Sequence, residues 1–274
     1  MTNWEIFVGP VFHLAIFALA GHAPPESCNA IEGWETMLQD RDPAIIVIGE
    51  MHGNAESPAI FADAVCRSAI AEPVTVAIEQ GEENQPAIDA YIASDGGDEA
   101  RAAFARAPMW QAEFKDGRSS VAMFDLYEQL RQLAEAGRID RLVAFVPTAR
   151  GPSEAAEREK ALADFVMAHA GKRTLVFTGN VHAMRQPVSW GSRYLPMTAH
   201  FPDETTVSLD ITGNDGETWA CSGQPLECGP MHIDGVNAAV PRSVVLEEDR
   251  DAPYSGRLYL GAATTASPPF ALEP

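Results

Sequence analysis

Two histidines and two glutamates stand where short apolar runs of this chain end. Glu50 and His52 close I-I-V-I-G-E-M-H-G-N (45–54), Glu79 closes V-T-V-A-I-E (74–79), and His182 lies in G-N-V-H-A (179–183). Carboxylates beside imidazoles support two kinds of chemistry. A carboxylate can orient an imidazole that takes a proton from water, or the same groups can hold a divalent ion with an open position where bound water becomes acidic. Strand interiors reject unpaired charge, so such groups gathered at one sheet edge mark a site. A lone histidine would read as a capped loop residue; the recurrence at three strand ends carries the functional reading.

The elements that must place these residues follow from the pattern. Residues 44–48 predict a buried strand, Gly49 turns the chain, and Glu50 and His52, two apart, face one way. A helix over 58–71 follows, with Ser57 as N-cap and Pro58 at its first position; Glu72-Pro73 stops it. Further strands are predicted at 74–78, 142–146 and 174–178, and helices at 85–92, 99–106, 119–136 and 153–170. This alternation predicts an α/β fold with a mainly parallel sheet. Open sheets of that kind bind ligands at the carboxyl ends of their strands. Beyond residue 200, strands at 206–211 and 218–221 flank G-N-D-G and predict an antiparallel hairpin. The acidic spacing around that turn does not match a calcium loop. Residues 243–246 read as a last strand. The chain divides into a leader (1–20), a linker and short helix (21–43), an α/β core carrying the site (44–200), and a hairpin extension with a loose tail (201–274, the tail over 266–274).

Composition narrows the partners. With 19 basic against 39 acidic residues the net charge is −20, which argues against nucleic acid and against anionic membrane surfaces. Residues 8–20 have the length of a signal-peptide apolar region and end in A-L-A, although the residues before them carry Glu5 and no Lys or Arg. The run is too short to span a bilayer. Four cysteines fit export to the periplasm or beyond. Cys221 with Cys228 and Cys28 with Cys66 is one of three possible pairings, which spacing alone does not separate, and Cys66 also reads as a buried free thiol on the 58–71 helix. No C-x-x-C, G-x-S-x-G, Walker A, G-x-G-x-x-G or H-E-x-x-H motif occurs.

Taken together, G-E-M-H-G, an acidic residue ending the next strand and a late G-N-V-H-A resemble the superfamily of ChaN-like haem-binding lipoproteins, erythromycin-esterase-like hydrolases and TIKI-type metalloproteases. The resemblance spans about 45–183 and implies helices on both faces of the parallel sheet. By the esterase-like members it implies that His52 and Glu79 activate water. By the TIKI-type members it implies that the motifs of His52 and His182 hold a divalent metal, manganese, zinc or cobalt, to which the chemistry of the site adds Glu50 and Glu79 as candidate ligands. By the ChaN-like members it implies a haem- or metal-binding protein instead of an enzyme; no haem-ligand motif of that family matches here, and Tyr194, Met197 and His200 could line a haem face but read first as packing residues in a loop covering the pocket. Asn180 and Arg118 are candidate substrate contacts, Arg118 for a carboxylate or phosphate, although Asp116-Gly117 also reads as a turn before a helix capped by Ser119 or Ser120. Arg150 and Arg185 follow strand ends and are further anion candidates.

The expectation is an exported hydrolase acting on a small ester, amide or related substrate, with a haem or metal carrier as the alternative. Expressed with its leader, the protein should be recovered outside the cytoplasm, beginning near residue 21 and without free thiols; an uncleaved cytoplasmic protein with four free thiols contradicts this.

Overall fold

The run 45–50 is apolar without interruption because both of its faces are buried. Ile46 and Ile48 enter the larger of two core clusters, and Ile45 and Val47 the smaller one on the opposite face. A strand with cover on both sides belongs in the middle of a parallel sheet.

In the computed structural model, which describes residues 28–111, 114–147, 154–191, 193–236 and 240–271, that is its place. The expected leader, Arg150 and the last three residues of the tail lie outside the described residues. The first half runs α1 (Trp34–Arg41), β1 (Ile45–Glu50), α2 (Glu56–Ser68), β2 (Val74–Gly81), α3 (Gln85–Ile92), α4 (Asp98–Phe104), α5 (Pro108–Gln111), α6 (Val121–Glu135) and β3 (Ile139–Val146). The second half adds α7 (Ala155–His169), β4 (Thr174–Gly179), α8 (Asn180–Ala183), β5 (Thr206–Thr212), β6 (Gly216–Ser222), β7 (Glu227–Ile233), β8 (Ser243–Leu246) and β9 (Gly256–Tyr259). Seven strands form one sheet in the order β3-β2-β4-β1-β5-β9-β8, parallel except where β8 meets β9. One face is covered by α1, α2, α3 and α6, through Trp34, Phe61, Val65, Ile88, Leu126 and Leu130. The other is covered by α7, through Leu162, Ala163 and Val166. The expected parallel sheet with helices on both faces is therefore present.

Several local expectations are corrected. The antiparallel hairpin exists, but its strands are β6 and β7; β5 instead lies parallel beside β1. Val207, Ser208 and Leu209 are all buried, so β5 is a sheet-interior strand, and G-N-D-G is the turn by which the chain leaves the main sheet. The hairpin is closed near its tip by the Cys221–Cys228 disulfide, and Cys28–Cys66 ties the residues before α1 to α2. The cap of α2 is also displaced: Ala55 occupies the N-cap position, and the Asn54 side chain, two residues before the helix, accepts the Ser57 N–H at 2.8 Å. Strand β9 carries no pattern longer than G-R-L-Y and was not expected.

The segment 266–270 is no loose tail. Its Ser267 N–H donates to Gly53 O at 2.8 Å, its Phe270 N–H donates to Ser119 O at 2.8 Å, and the Phe270 ring stacks on Phe124 with centroids 4.2 Å apart. Phe270→Ala should therefore cost about 2 kcal/mol, below the range for a fully buried phenylalanine because the ring is half-buried. Urea unfolding measures it, and an unchanged midpoint with an unchanged slope would show the tail to be unpacked after all.

Candidate functional site

Strands β2, β4 and β1 are neighbours, so three of the predicted motifs end side by side. The register makes the ends level: Gly49 lies opposite Thr178, Glu50 opposite Gly179, and Ile78 opposite Phe177. One contiguous edge then carries Glu50 and His52, Glu79, and Asn180 and His182. Gly49 owes its place to α8: a Cβ there would lie 2.6 Å from the Ala183 Cβ and 2.9 Å from the Asn180 Cα. Glycine in the first motif and alanine in the last are thus two halves of one close backbone approach.

Glu79 is the centre. Its Oε2 accepts the Thr178 hydroxyl and the Gly179 N–H, each at 2.7 Å, and its Oε1 accepts from Arg118 Nη1 at 3.2 Å. Two imidazoles approach the same carboxylate, His52 Nε2 at 3.8 Å and His182 Nε2 at 3.9 Å. Each ring is held from behind by another carboxylate. His52 Nδ1 donates to Glu50 Oε1 at 2.8 Å, and His182 Nδ1 to Glu159 Oε2 at 2.7 Å. These bonds fix the tautomers and leave both Nε2 atoms facing Glu79 and the edge of the sheet.

Glu159 was not foreseen. It is fully buried on α7, where it continues backwards the helical stripe of Leu162, Ala163 and Val166. A glutamate on an apolar stripe is the signal that would have found it, since burial there demands a partner. The same Oε2 also accepts the Met197 N–H at 2.9 Å, which anchors the segment after α8 to the histidine it passes.

The His52 loop is gripped from two sides. Gly53 (φ +94°) and Gly117 (φ +97°) meet backbone to backbone, and a Cβ on Gly117 would fall 2.4 Å from Gly53 N; one on Gly53 would fall 2.1 Å from Trp219 O. Both adopt a left-handed conformation that favours glycine. The Trp219 N–H donates to Gly53 O at 2.8 Å and the Thr218 hydroxyl to His52 O, so the hairpin holds the loop that carries His52. The 116–118 turn brings Arg118 to the site, and Asp116 Oδ2 grips its Nη2 at 2.6 Å and its Nε at 3.0 Å. The helix after that turn is capped by Ser120, whose hydroxyl accepts the Met123 N–H. Asn180 stands half-buried at the start of α8 and gives its carbonyl to the Tyr254 hydroxyl at 3.0 Å. Arg185 is spent on backbone carbonyls of Asp249, Arg250 and Ala252.

The charges are set by their neighbours. Burial alone would lower the His52 pKa, but the bond to Glu50 and the charges of Glu79 and Glu50 outweigh it and hold the ring up at about 9. His182 is likewise raised, against burial, by Glu159 and Glu79. Burial would raise Glu79, yet His52, His182, Arg118 and the Gly179 N–H pull it down to about 2. Glu50 is raised by its burial, with His52 working against that. Glu79 is therefore an anion between imidazoles that hold their protons tightly.

As a metal cage the expected set fits poorly in this arrangement. Glu50 is turned to the back of the His52 ring, Glu79 already accepts three donors, one of them a guanidinium, and the ligand atoms of the four residues do not gather within 4.8 Å of one another. Met197 is fully buried in the smaller core cluster, the packing role read for it ahead of a haem contact.

No protein-family model and no curated protein matches the chain in sequence. Solved structures do resemble it. A mutant of the erythromycin esterase EreC in its open conformation superposes with a TM-score of 0.56 at 12% identity, covering 87% of this chain and 95% of that one. A succinoglycan biosynthesis protein gives 0.63 at 9%, covering 86% and 92%, and a protein from Bacillus cereus 0.58 at 11%, covering 90% and 96%. At these identities the likeness is one of fold.

The pair of shifted groups fixes a pH dependence. The His52 pKa, about 9 when folded against 6.5 ordinarily, means that its proton stabilises the fold fully below pH 6.5 and that this contribution disappears as the pH rises through 9. Glu79, about 2 against 4.5, contributes above pH 4.5 and loses its contribution as the pH falls through 2. Proton NMR of the imidazole C–H resonances should find His52 titrating near 9; a midpoint near 6.5 would contradict its pairing with Glu50 and Glu79.

Proposed function

We propose that the protein is an exported hydrolase in which His52 acts as general base on water, attacking the carbonyl or related centre of a small ester or amide. The observation that carries this reading is the pair of carboxylate-backed imidazoles aimed from either side at one ionised glutamate, at the carboxyl edge of the sheet. The fold shared with an erythromycin esterase supports it, and two disulfides support an oxidising compartment.

In the proposed reaction the neutral His52 ring takes a proton from water at Nε2, and Glu50 stabilises the imidazolium that forms. The hydroxide adds to the substrate carbon. The oxyanion is balanced by the His182 Nε2–H and by Arg118, cations already placed around the site. His52 then returns its proton to the leaving group. Glu79 keeps both rings in position and does not itself change protonation. A base works in its deprotonated form, so kcat/KM should climb as the pH rises toward 9 and fall again where His182 loses the proton it offers the oxyanion.

Glu50 is buried and relies on His52 for its partner, so His52→Gln, whose amide still donates, is the cleaner substitution. Assayed on ester, amide and phosphoester substrates, His52→Gln should lower turnover by about 10²–10⁴-fold, with its melting temperature matching the wild type only above pH 9, where the His52 proton no longer stabilises the fold. Glu79→Gln should be comparably damaging. An active enzyme indifferent to both variants refutes the assignment. Activity abolished by chelation and restored by manganese, zinc or cobalt transfers the water activation to a metal. A wild type inactive throughout, with a saturable Soret shift on adding haemin, replaces the hydrolase by the carrier.

A further inference from the structure

A second group of ligating side chains lies apart from this site, at the open end of the β6–β7 hairpin. His232 Nε2 is 3.2 Å from Asp215 Oδ1 and 3.4 Å from Asp234 Oδ1. Among the described residues, these form the one set of three or more His, Cys, Asp or Glu whose ligand atoms all lie within 4.8 Å of one another. A single Nε2–H can satisfy only one of the two carboxylates, and the other then faces its fellow anion with no proton between them. A divalent ion in place of that proton satisfies all three. Nitrogen and oxygen ligands held at 2.0–2.2 Å around zinc stand about 3–4 Å apart, close to the spacing already present.

The backbone brings the three together independently of their side chains. The Val236 N–H donates to Gly213 O at 3.0 Å, and Gly235 packs so closely on the turn that a Cβ would lie 2.1 Å from Asp215 N. The end of β7 is thereby folded back onto the turn that begins β6. Glu217 lies directly opposite His232 in the strand register and adds negative charge to the same end of the hairpin. All three ligating residues are exposed, so an ion reaches them from solvent without rearrangement.

We propose that Asp215, His232 and Asp234 bind a divalent transition metal, with zinc the best match to one imidazole and two carboxylates, water completing the coordination. The ion clips the open end of a hairpin whose other end is closed by Cys221–Cys228. Its position matters because the next residues of β6, Thr218 and Trp219, are those that hold the His52 loop. The site itself does not depend on the hydrolase reading.

Calorimetric titration of the whole protein with zinc chloride should show saturable binding of one equivalent. That equivalent should be lost in His232→Ala and in the Asp215→Asn, Asp234→Asn double variant, both surface changes, and retained in the His52→Gln, His182→Gln double variant. Zinc should also slow amide exchange over 217–219 and 231–233 in the wild type and not in His232→Ala. Absence of binding, binding that survives His232→Ala, binding lost only with the two site histidines, or unchanged amide exchange with the ion bound would each overturn the proposal.

Discussion

An ionised carboxylate withdrawn from water is costly unless donors and cations surround it, and Glu79, compensated at both oxygens, is the group where they converge. Its position at the end of β2 decides what surrounds it. The neighbouring strand supplies the Thr178 hydroxyl and the Gly179 N–H, the 116–118 turn supplies a guanidinium, and the chain beyond the ends of β1 and β4 supplies imidazoles. Each compensating group is itself charged or buried, so each needs support in turn. Glu50 serves His52, Glu159 serves His182, and Asp116 serves Arg118. The alternation of charge outward from Glu79 keeps three cations and four carboxylates in one small region without an unopposed like-charge contact.

Parts of the chain far apart in sequence are recruited to keep this arrangement in register. The His52 loop is held by the hairpin through Thr218 and Trp219, by the tail through Ser267, and by the close contact of Gly53 with Gly117. The His182 turn is held by β1 through Gly49 and by α7 through Glu159, which also fixes the segment at Met197. Loops at a sheet edge ordinarily move more than the strands beneath them. Here the loops bearing the two histidines are tied back to the sheet or to elements packed on it, so the rings are positioned before any ligand arrives.

Much of this was legible in the sequence, because burial and charge leave local marks. Continuous apolar runs ending in Glu50, Glu79 and G-N-V-H-A predicted the parallel strands, and the types of the terminal residues predicted the site, which adjacency of β2, β4 and β1 then assembled. What escaped depends on distant pairing. Nothing local says that β5 joins β1 rather than β6, since both choices place a strand beside a G-N-D-G turn. The packed tail was hidden because S-P-P-F has the composition of a loop and acquires order only from Phe124 and Gly53. Glu159 was visible only as an acidic residue in register with an apolar stripe, and Arg118 was read as a substrate contact because its bond to Glu79, 39 residues away, leaves no local mark.

The central claim is that Glu79 is a permanent anion around which the histidines are organised. Carbon NMR of protein labelled at the glutamate side-chain carboxyl, assigned by comparison with Glu79→Gln, measures this directly. The account predicts that the Glu79 signal keeps the shift of an ionised carboxylate through the acid range, with its midpoint at about 2. A midpoint at or above the ordinary 4.5 would contradict it.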